Sequence, residues 1–348
     1  MMRKIVITAI CSFAFQGLLM AQDFHFAQTI QTPLLINPAS TGIFDGWERA
    51  SISHRNQWLG SATQFMSTAV AVDVNLGKTR MNDRAYAGVG LMFFNDVGGD
   101  GQFGNQQGSV SLSGILPMGG SGHTLSAGIQ GGWGQRSVNV NNLTFMSQWD
   151  GAGFDPSIIS GEGNIGNSFV YIDASGGLFY EFDGGKSTFS RNNQTKFQIG
   201  VSGYHLNAPQ LKYNSGVSTE RLQRKFVAHA RLIAEVAGSK WSVDASAAQF
   251  KQGGHYETIL GALLRYRFSN GTKITGLSHD AFIAFGTYFR FKDALAPSVM
   301  IDWQGFQFGI SYDVTVSQLR QAYNGSLEFS LSYRNLHDSL FKTKKRRF

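Results

Sequence analysis

Apolar and polar residues alternate along most of the chain after residue 48, and this pattern predicts β-strands. In the segment GSLEFSLSYR, the odd-numbered residues from Leu327 to Tyr333 are apolar and the even-numbered ones from Ser326 to Ser332 are polar. The segment FQFGISYDV alternates in the same way. A period of two places successive side chains on opposite faces, so each strand has one apolar face and one polar face.

Fourteen segments show this alternation. We predict strands at 48–58, 64–75, 84–95, 107–116, 122–135, 168–183, 195–206, 224–238, 240–251, 256–268, 280–291, 296–303, 305–314 and 324–334. Most of them are longer than the five or six residues typical of soluble strands and suit a tilted membrane crossing of about 9–11 residues. The length and the even number predict an all-β fold, a transmembrane antiparallel β-barrel of about 14 strands.

A secreted β-sandwich is the alternative, because its strands alternate too. The polar faces of a sandwich should be rich in Lys and Glu, whereas here they are mostly Ser, Gly and Gln, and several apolar faces end in tryptophan, as at Trp58, Trp241 and Trp303. Such aromatic ends resemble the interfacial girdles of membrane barrels, which favours the barrel. His54 and Asn56 fall on the predicted lipid face, and we place them near the interface with Trp58.

The N-terminus predicts export, because Arg3 and Lys4 precede an apolar run that ends near the small residue Ala21. The stretch after it is more apolar than a free tail, so we expect it to pack in the periplasmic mouth of the barrel or against a partner. We therefore divide the chain into a signal peptide, a short N-terminal periplasmic or plug segment, the barrel and a basic periplasmic tail, at 1–21, 22–47, 48–334 and 335–348.

Charge and cysteine content exclude two further classes. The net charge is +7, but the excess of Lys and Arg lies in the predicted signal peptide and the tail, so the body of the chain is neutral and nucleic acid is not an expected partner. The single cysteine, Cys11, lies in the predicted signal peptide. An exported chain without a disulfide cannot be a small disulfide-stabilised domain.

The predicted registers place charges of both signs inside the barrel. Those expected to face the lumen are Arg49, Arg55, Asp73, Asp173, Arg231, Glu235, Asp244, Arg265, Arg267, Asp302, Asp313 and Glu328. A mixed set of buried charges favours ion pairs across the wall over a selective conduction filter.

Motifs of known chemistry are absent from the sequence. There is no HExxH, Walker loop, GxSxG or cysteine pair, so we expect no catalytic, cofactor or metal residues and no enzyme. The string GDGQFG at 99–104 lacks a following helix. Asn95, Asp96, Asp100 and Asn105 could bind calcium, but their spacing differs from an EF-hand, and a flexible polar loop is favoured. A lipid-modifying enzyme is a third alternative. The sequence shows no nucleophile that is paired with a general base for such a reaction.

Connection lengths indicate which surface meets a partner. If the N-terminus lies in the periplasm, the odd-numbered connections face outward, and among them the one at 136–167 is the longest. Its residues Asn141, Phe145, Trp149 and Phe154 are candidates for binding a partner by strand addition or by aromatic anchoring. Packing of these aromatic residues within the loop itself is the alternative.

Several segments together resemble the PorP/SprF family of type IX secretion outer-membrane proteins of Bacteroidetes. They are QDFHFAQTIQTPLLINPASTG, RNQW, GVSGYHLNAPQLKY, LGALLRYRF and FGISYDVTVSQLRQAYNGSLEFSLSY, and they span nearly the whole exported chain. The motif residues at the N-terminal end, whose role the resemblance leaves open, are Asn37, Pro38, Gly42, Arg55, Asn56, Gln57 and Trp58.

The resemblance implies a non-enzymatic barrel of the cell outer membrane that binds, exports or anchors a large secreted surface adhesin, in some members one needed for gliding. It implies as partners an adhesin with a C-terminal type IX sorting domain, the periplasmic motor and ring components, and outer-membrane lipid. A general diffusion or uptake channel is the alternative function, and neither function requires a cofactor.

Overall fold

The chain forms a closed antiparallel β-barrel. The computed structural model describes residues 23, 25–58, 64–79, 84–118, 122–139, 142–161, 168–186, 195–212, 220–271, 279–317 and 325–341. The strands are β1 (Glu48–Gln57), β2 (Phe65–Leu76), β3 (Tyr86–Gly98), β4 (Phe103–Pro117), β5 (His123–Ser137), β6 (Ser168–Asp183), β7 (Thr195–Tyr204), β8 (Lys225–Glu235), β9 (Trp241–Gln252), β10 (His255–Ser269), β11 (Ala281–Arg290), β12 (Ala294–Trp303), β13 (Phe306–Thr315) and β14 (Ser326–Arg334). Each strand pairs with its neighbours in sequence, and β1 pairs with β14 to close the cylinder.

The predicted strands are confirmed, with all fourteen segments forming strands of the barrel. The largest difference lies between β3 and β4, which extend toward each other until only 99–102 separates them. Polar residues continue that ladder, as where Asp96 pairs with Asn105. The sequence made this region look like a loop because its residues are polar and rich in glycine.

Side chains alternate between the two faces of the wall. In β12, Leu295 and Val299 are 40% and 42% exposed, whereas Ala296 and Met300 are 3% and 5% exposed. The outer faces are apolar and the charges predicted to point inward lie on the lumen side, so the predicted registers are confirmed. An apolar exterior around a polar interior is the arrangement that a barrel needs in lipid.

Two polar residues lie on the outer face of β1, and one of them has a partner on the neighbouring strand. His54 and Asn56 lie on the outer side of β1, as predicted, because the alternate residues Ser53 and Arg55 are buried inside. His54 Nδ1 lies 2.9 Å from the hydroxyl of Thr68 on β2. A hydrogen bond between neighbouring strands reduces the cost of holding the His54 ring against lipid.

The two ends of the barrel differ in their connections. One end, the long-loop end, carries the connections 138–167 and 205–224. The other, the terminal end, carries the start of β1, the end of β14 and shorter connections such as 304–305. Because outer-membrane barrels keep short turns in the periplasm, the long-loop end is the one that faces outward.

The segment before β1 lies inside the barrel. It contains short 3₁₀ turns at Thr29–Gln31 and Pro38–Ser40 and one helical turn, α1 (Pro33–Ile36). None of the helices in the described residues is long and apolar enough to cross a membrane. We call residues 25–47 the plug.

The plug runs through the lumen from one end to the other. Just before it, the Asp23 amide donates to Gln252, the last residue of β9 at the long-loop end. At its other limit, the Trp47 amide donates to the carbonyl of Asn335 at the terminal end. The segment was expected in the periplasmic mouth, and the structure extends it to the opposite rim.

Candidate functional site

Hydroxyl groups of the wall bind the backbone of the plug. Ser202 and Tyr204 on β7 donate to the carbonyls of Ile36 and Leu34, at 2.6 and 3.1 Å. Ser126 on β5 donates to Ala39 at 2.8 Å in the same way. A buried carbonyl without a partner costs free energy, and the plug has little regular structure of its own. Hydroxyl groups on the inner face of the barrel therefore donate the hydrogen bonds that these plug carbonyls need.

Carboxylates of the wall receive the amide hydrogens of the plug. The two oxygens of Glu328 on β14 accept from the amides of Ala27 and Gln28, both at 2.8 Å. Asp73 on β2 accepts from the amide of Gly42 at 2.8 Å. Glu328 is fully buried, so these contacts provide hydrogen-bond partners for a carboxyl group that would be costly to bury without them.

Asn37 and Pro38 of the resemblance motif lie at the centre of the plug. The Asn37 side chain accepts from the amide of Ala39 at 2.9 Å, which caps the 3₁₀ turn that Pro38 begins. Its amide group donates to the carbonyl of Leu178 on β6 at 2.9 Å. One side chain thus shapes the plug and attaches it to the wall.

Gly42 of the same motif is required by both space and backbone. Its φ of +76° is a left-handed conformation that glycine adopts without strain. A Cβ added here would lie 2.8 Å from the Cα of Gly88 on β3. The close approach explains why glycine occupies both the plug and the facing position of the wall.

Arg55, also in the motif, joins the plug to two strands. Its guanidinium is 2.8 Å from the carboxylate of Asp313 on β13, and it donates to the carbonyl of His25 at 2.8 Å. Arg290 on β11 binds the same carboxylate oxygen at 2.9 Å. A charge buried this deeply needs such partners, so the cluster fixes the plug near the long-loop end.

The remaining motif residues, Asn56, Gln57 and Trp58, lie at the end of β1. Asn56 faces outward, whereas Gln57 and Trp58 line a cavity at the long-loop end. The Trp58 ring packs edge-on against Phe65 of β2 with centroids 5.3 Å apart. The motif therefore combines a plug part with a strand part, and Arg55 joins the two.

Ion pairs of opposite sign line the lumen, as the mixed charges predicted. Three arginine–carboxylate pairs on the wall lie at N···O distances of 2.6–2.8 Å: Arg49–Asp73, Arg231–Asp244 and Arg334–Asp302. Arg267 pairs with Glu235. Arg265 instead stacks over the Phe282 ring at 4.2 Å. No single sign of charge dominates this wall, which is unlike a selective filter.

Asp23 is clamped by basic residues at the long-loop end. Its carboxylate lies 2.6 Å from His205 Nε2 and 3.1 Å from the Lys225 ammonium, and Asp173 binds the other ring nitrogen of His205 at 2.9 Å. Burial acts to raise the pKa of Asp23, but Lys225 and His205 outweigh it and hold the pKa well below its usual range. Burial acts to lower the pKa of His205, but Asp23 and Asp173 raise it to about 9.

This clamp predicts a pH-dependent stability. Because the folded pKa of His205 is raised to about 9, its contribution is complete below the unfolded value of about 6.5 and is lost as the pH rises through 9. We expect the urea midpoint of the refolded barrel to fall across this range, and to fall less in His205→Gln. Equal slopes in the two proteins would contradict the assignment.

Cavities remain on both sides of the plug. The cavity at the long-loop end has a volume of about 740 Å³ and is lined by residues that include Asp23, His25 and Glu257. The one toward the terminal end has a volume of about 380 Å³ and includes Arg231 and Arg334 in its lining. The plug thus fills the middle of the lumen.

The described part of the candidate partner loop, residues 142–161, forms an exposed hairpin. Trp149 and Phe154 pair through their backbones and are 55% and 47% exposed, while Phe145 is half-buried beside a 3₁₀ turn at 146–148. Asn141 lies outside the described residues. Sequence reasoning missed Met146 and Ile159, which are 90% and 88% exposed.

The calcium alternative does not match the geometry. Asn95 and Asp96 are successive strand residues and face opposite sides of β3, and Asp96 accepts a hydrogen bond from Ser67. Within the described residues, no group of three or more His, Cys, Asp or Glu side chains is placed to hold a metal ion.

A closed 14-strand barrel with an apolar exterior and a plugged polar lumen defines an outer-membrane β-barrel protein. Comparison with protein families then narrows the class. The family described as "Type IX secretion system membrane protein PorP/SprF" matches residues 19–333. The chain belongs to this family, which confirms the resemblance, and it is a protein of the outer membrane.

Solved structures with a similar fold are distant in sequence. The toluene transporter TbuX of Ralstonia pickettii is 9% identical, with a TM-score of 0.46 over 88% of this chain and 94% of that one. The β domain of the Bordetella autotransporter BrkA is 13% identical, with a TM-score of 0.39 over 84% of this chain and 100% of that one. No curated protein sequence is similar enough to count as a relative of this chain.

Proposed function

We propose that this protein binds a large secreted surface protein at the long-loop end of its barrel and serves its export or its attachment to the cell. The observation that carries the proposal is the plug, which is hydrogen-bonded to the inner side of the wall from His25, bound by Arg55, to Gly42, bound by Asp73. Because the plug occupies the lumen, the rim of the barrel is the surface that we assign to binding a macromolecule. The type IX secretion family supports the assignment.

The exposed hairpin at 142–161 is the proposed contact surface. Large apolar side chains exposed together are typical of interaction sites, and here they include Met146, Trp149, Phe154 and Ile159. The partner we propose is an adhesin with a C-terminal type IX sorting domain. We assign contacts with the periplasmic motor and ring components to the terminal end, since barrel termini face the periplasm. The proposed role involves binding without catalysis.

The proposal predicts that Trp149→Ser combined with Phe154→Ser releases the secreted partner. Truncating two central aromatic contacts typically costs about 2 kcal/mol or more each, so retention should fall by at least about tenfold. The partner is first identified as the protein lost from the cell surface when the gene is deleted. Quantitative surface proteomics then measures it in each variant.

Met118→Ser is the matched control. Met118 is an apolar residue, 41% exposed, directly after β4 at the terminal end, and its replacement should leave retention unchanged. If deletion of the gene leaves every surface protein at its normal level, the proposed function is wrong. If deletion removes a protein but the double variant retains it, the hairpin is not the contact surface.

A further inference from the structure

Strand β6 extends beyond its neighbour β7 at the long-loop end. Its pairing with β7 begins at Gly176 opposite Gly203, whereas its pairing with β5 continues to Ser168 opposite Ser137. Residues 168–175 therefore have a ladder partner on only one side within the described chain. Part of this stretch is therefore an open strand edge.

A side chain occupies the first part of this edge. The amide of Leu206 donates to the carbonyl of Ala174 at 2.9 Å. The side chain of Asn207 accepts from the amide of Ala174 at 3.3 Å and donates to the carbonyl of Ile172 at 2.7 Å. The Asn207 amide thus takes the place of one peptide group of an added strand.

The directions in which the backbone amides and carbonyls of the remaining edge residues point follow from the alternation of an antiparallel ladder. Because Ala174 and Ile172 point their backbone groups away from β5, Val170 points its amide and carbonyl the same way. Tyr171 and Asp173 point theirs toward β5. No described residue bonds to the Val170 backbone or the Ile172 amide on the open side. Ile172 is 75% exposed, the most exposed apolar side chain of any strand in the described residues.

We propose that an extended strand of the secreted partner adds to β6 at residues 168–172, antiparallel to it and in line with β7. A strand edge with open peptide groups, here those of Val170 and the amide of Ile172, is a template for strand addition. The added strand places apolar side chains beside Val170 and Ile172 on the outer face. This inference rests on the proposed function and specifies where the partner binds.

The surroundings favour a partner strand over a second copy of the chain. The exposed hairpin at 142–161 lies in the connection that leads into β6, so both features lie at the long-loop end, to which the proposed function assigns the partner. Antiparallel pairing of two β6 strands would turn one barrel upside down relative to the other, which two copies inserted the same way in one membrane cannot do. A free peptide strand has no such obstacle.

Hydrogen–deuterium exchange resolved to single amides tests the inference on the purified full-length barrel. In the barrel alone, the amides of Val170 and Ile172 should exchange rapidly, whereas those of Tyr171 and Asp173 are protected by β5. Addition of the secreted protein identified from the deletion strain should slow Val170 and Ile172 by at least about tenfold. Protection of both amides in the barrel alone, or no slowing in the complex, would overturn the inference.

Val170→Pro provides a second test, since it removes only the open-side amide and leaves pairing with β5 intact. It should reduce retention of the secreted protein about tenfold, whereas Val170→Ala keeps the amide and should retain it. Heat-modifiable gel mobility confirms that both variants fold. Retention by Val170→Pro together with loss in the Trp149 and Phe154 variant would leave the proposed function standing and refute strand addition. If deletion of the gene releases no surface protein, both proposals are refuted.

Discussion

Gly128→Val is expected to open the lumen. Gly128 lies on the inner face of β5, where an added Cβ would be 2.6 Å from the nitrogen and Cα of Ala39 and from the carbonyl oxygen of Pro38. All three contacts are with backbone, so no side chain can rotate away. The 3₁₀ turn of the plug must then move away from β5. Overpacking of this kind typically lowers the free energy of unfolding by about 1–3 kcal/mol.

Planar-bilayer recording measures the result. Gly128→Val should give single-channel steps that the wild-type protein does not show. Gly131→Val is the matched control, because Gly131 is on the same strand and its added Cβ meets nothing within 4 Å. Steps of equal size and frequency in both variants would show that strand damage, and not loss of the plug, opens the barrel.

Asp313→Asn should destabilise the barrel by about 3–5 kcal/mol. Its carboxylate is 1% exposed and lies between the guanidinium groups of Arg55 and Arg290. Removing the charge takes away the carboxylate that both buried arginines contact, and breaking a buried ion pair by removing one partner is among the costliest single changes. Urea unfolding of the refolded protein, followed by tryptophan fluorescence, gives the change in free energy.

Asp293→Asn is the control for that experiment, because Asp293 pairs with the same Arg290 but is 42% exposed on its side chain. An exposed ion pair contributes about 0–1 kcal/mol, so the unfolding curve should shift little. Similar losses in the two variants would contradict a dominant role for burial at Asp313.

The strands could be predicted from the sequence because lipid and lumen impose a strict alternation on each crossing. GSLEFSLSYR reads directly as β14, since Leu327 and Phe329 must meet lipid while Ser326 and Glu328 must not. The same registers placed Asp313 and Arg55 inside the barrel. Alternation is a local property, so a single sequence reveals it.

The path of the plug could not be predicted, because its contacts join residues far apart in the chain. Ala27 binds Glu328, and Asn37 binds Leu178, and no local pattern links either pair. The end of β7 shows the same limit. It was predicted at residue 206 but the strand ends at Tyr204, where His205 adopts a φ of 55° and turns to meet Asp23.

The motif of the resemblance was visible in the sequence, but its role was not. Asn37, Pro38 and Gly42 shape the plug, and Arg55 attaches it to the wall. Conversely, the exposed loop aromatics were found by sequence because they lie in the longest outward connection. The open edge of β6 required the register of β7, which depends on pairing across the barrel.

Single-channel recording of the unmodified protein tests the central claim most directly. The claim is that the plug seals the lumen and that the protein acts through its rim. Protein reconstituted into planar bilayers, with folding confirmed by heat-modifiable gel mobility, should give no stable conductance steps. Reproducible steps from the folded wild-type protein would contradict the sealed lumen and favour a diffusion or uptake channel.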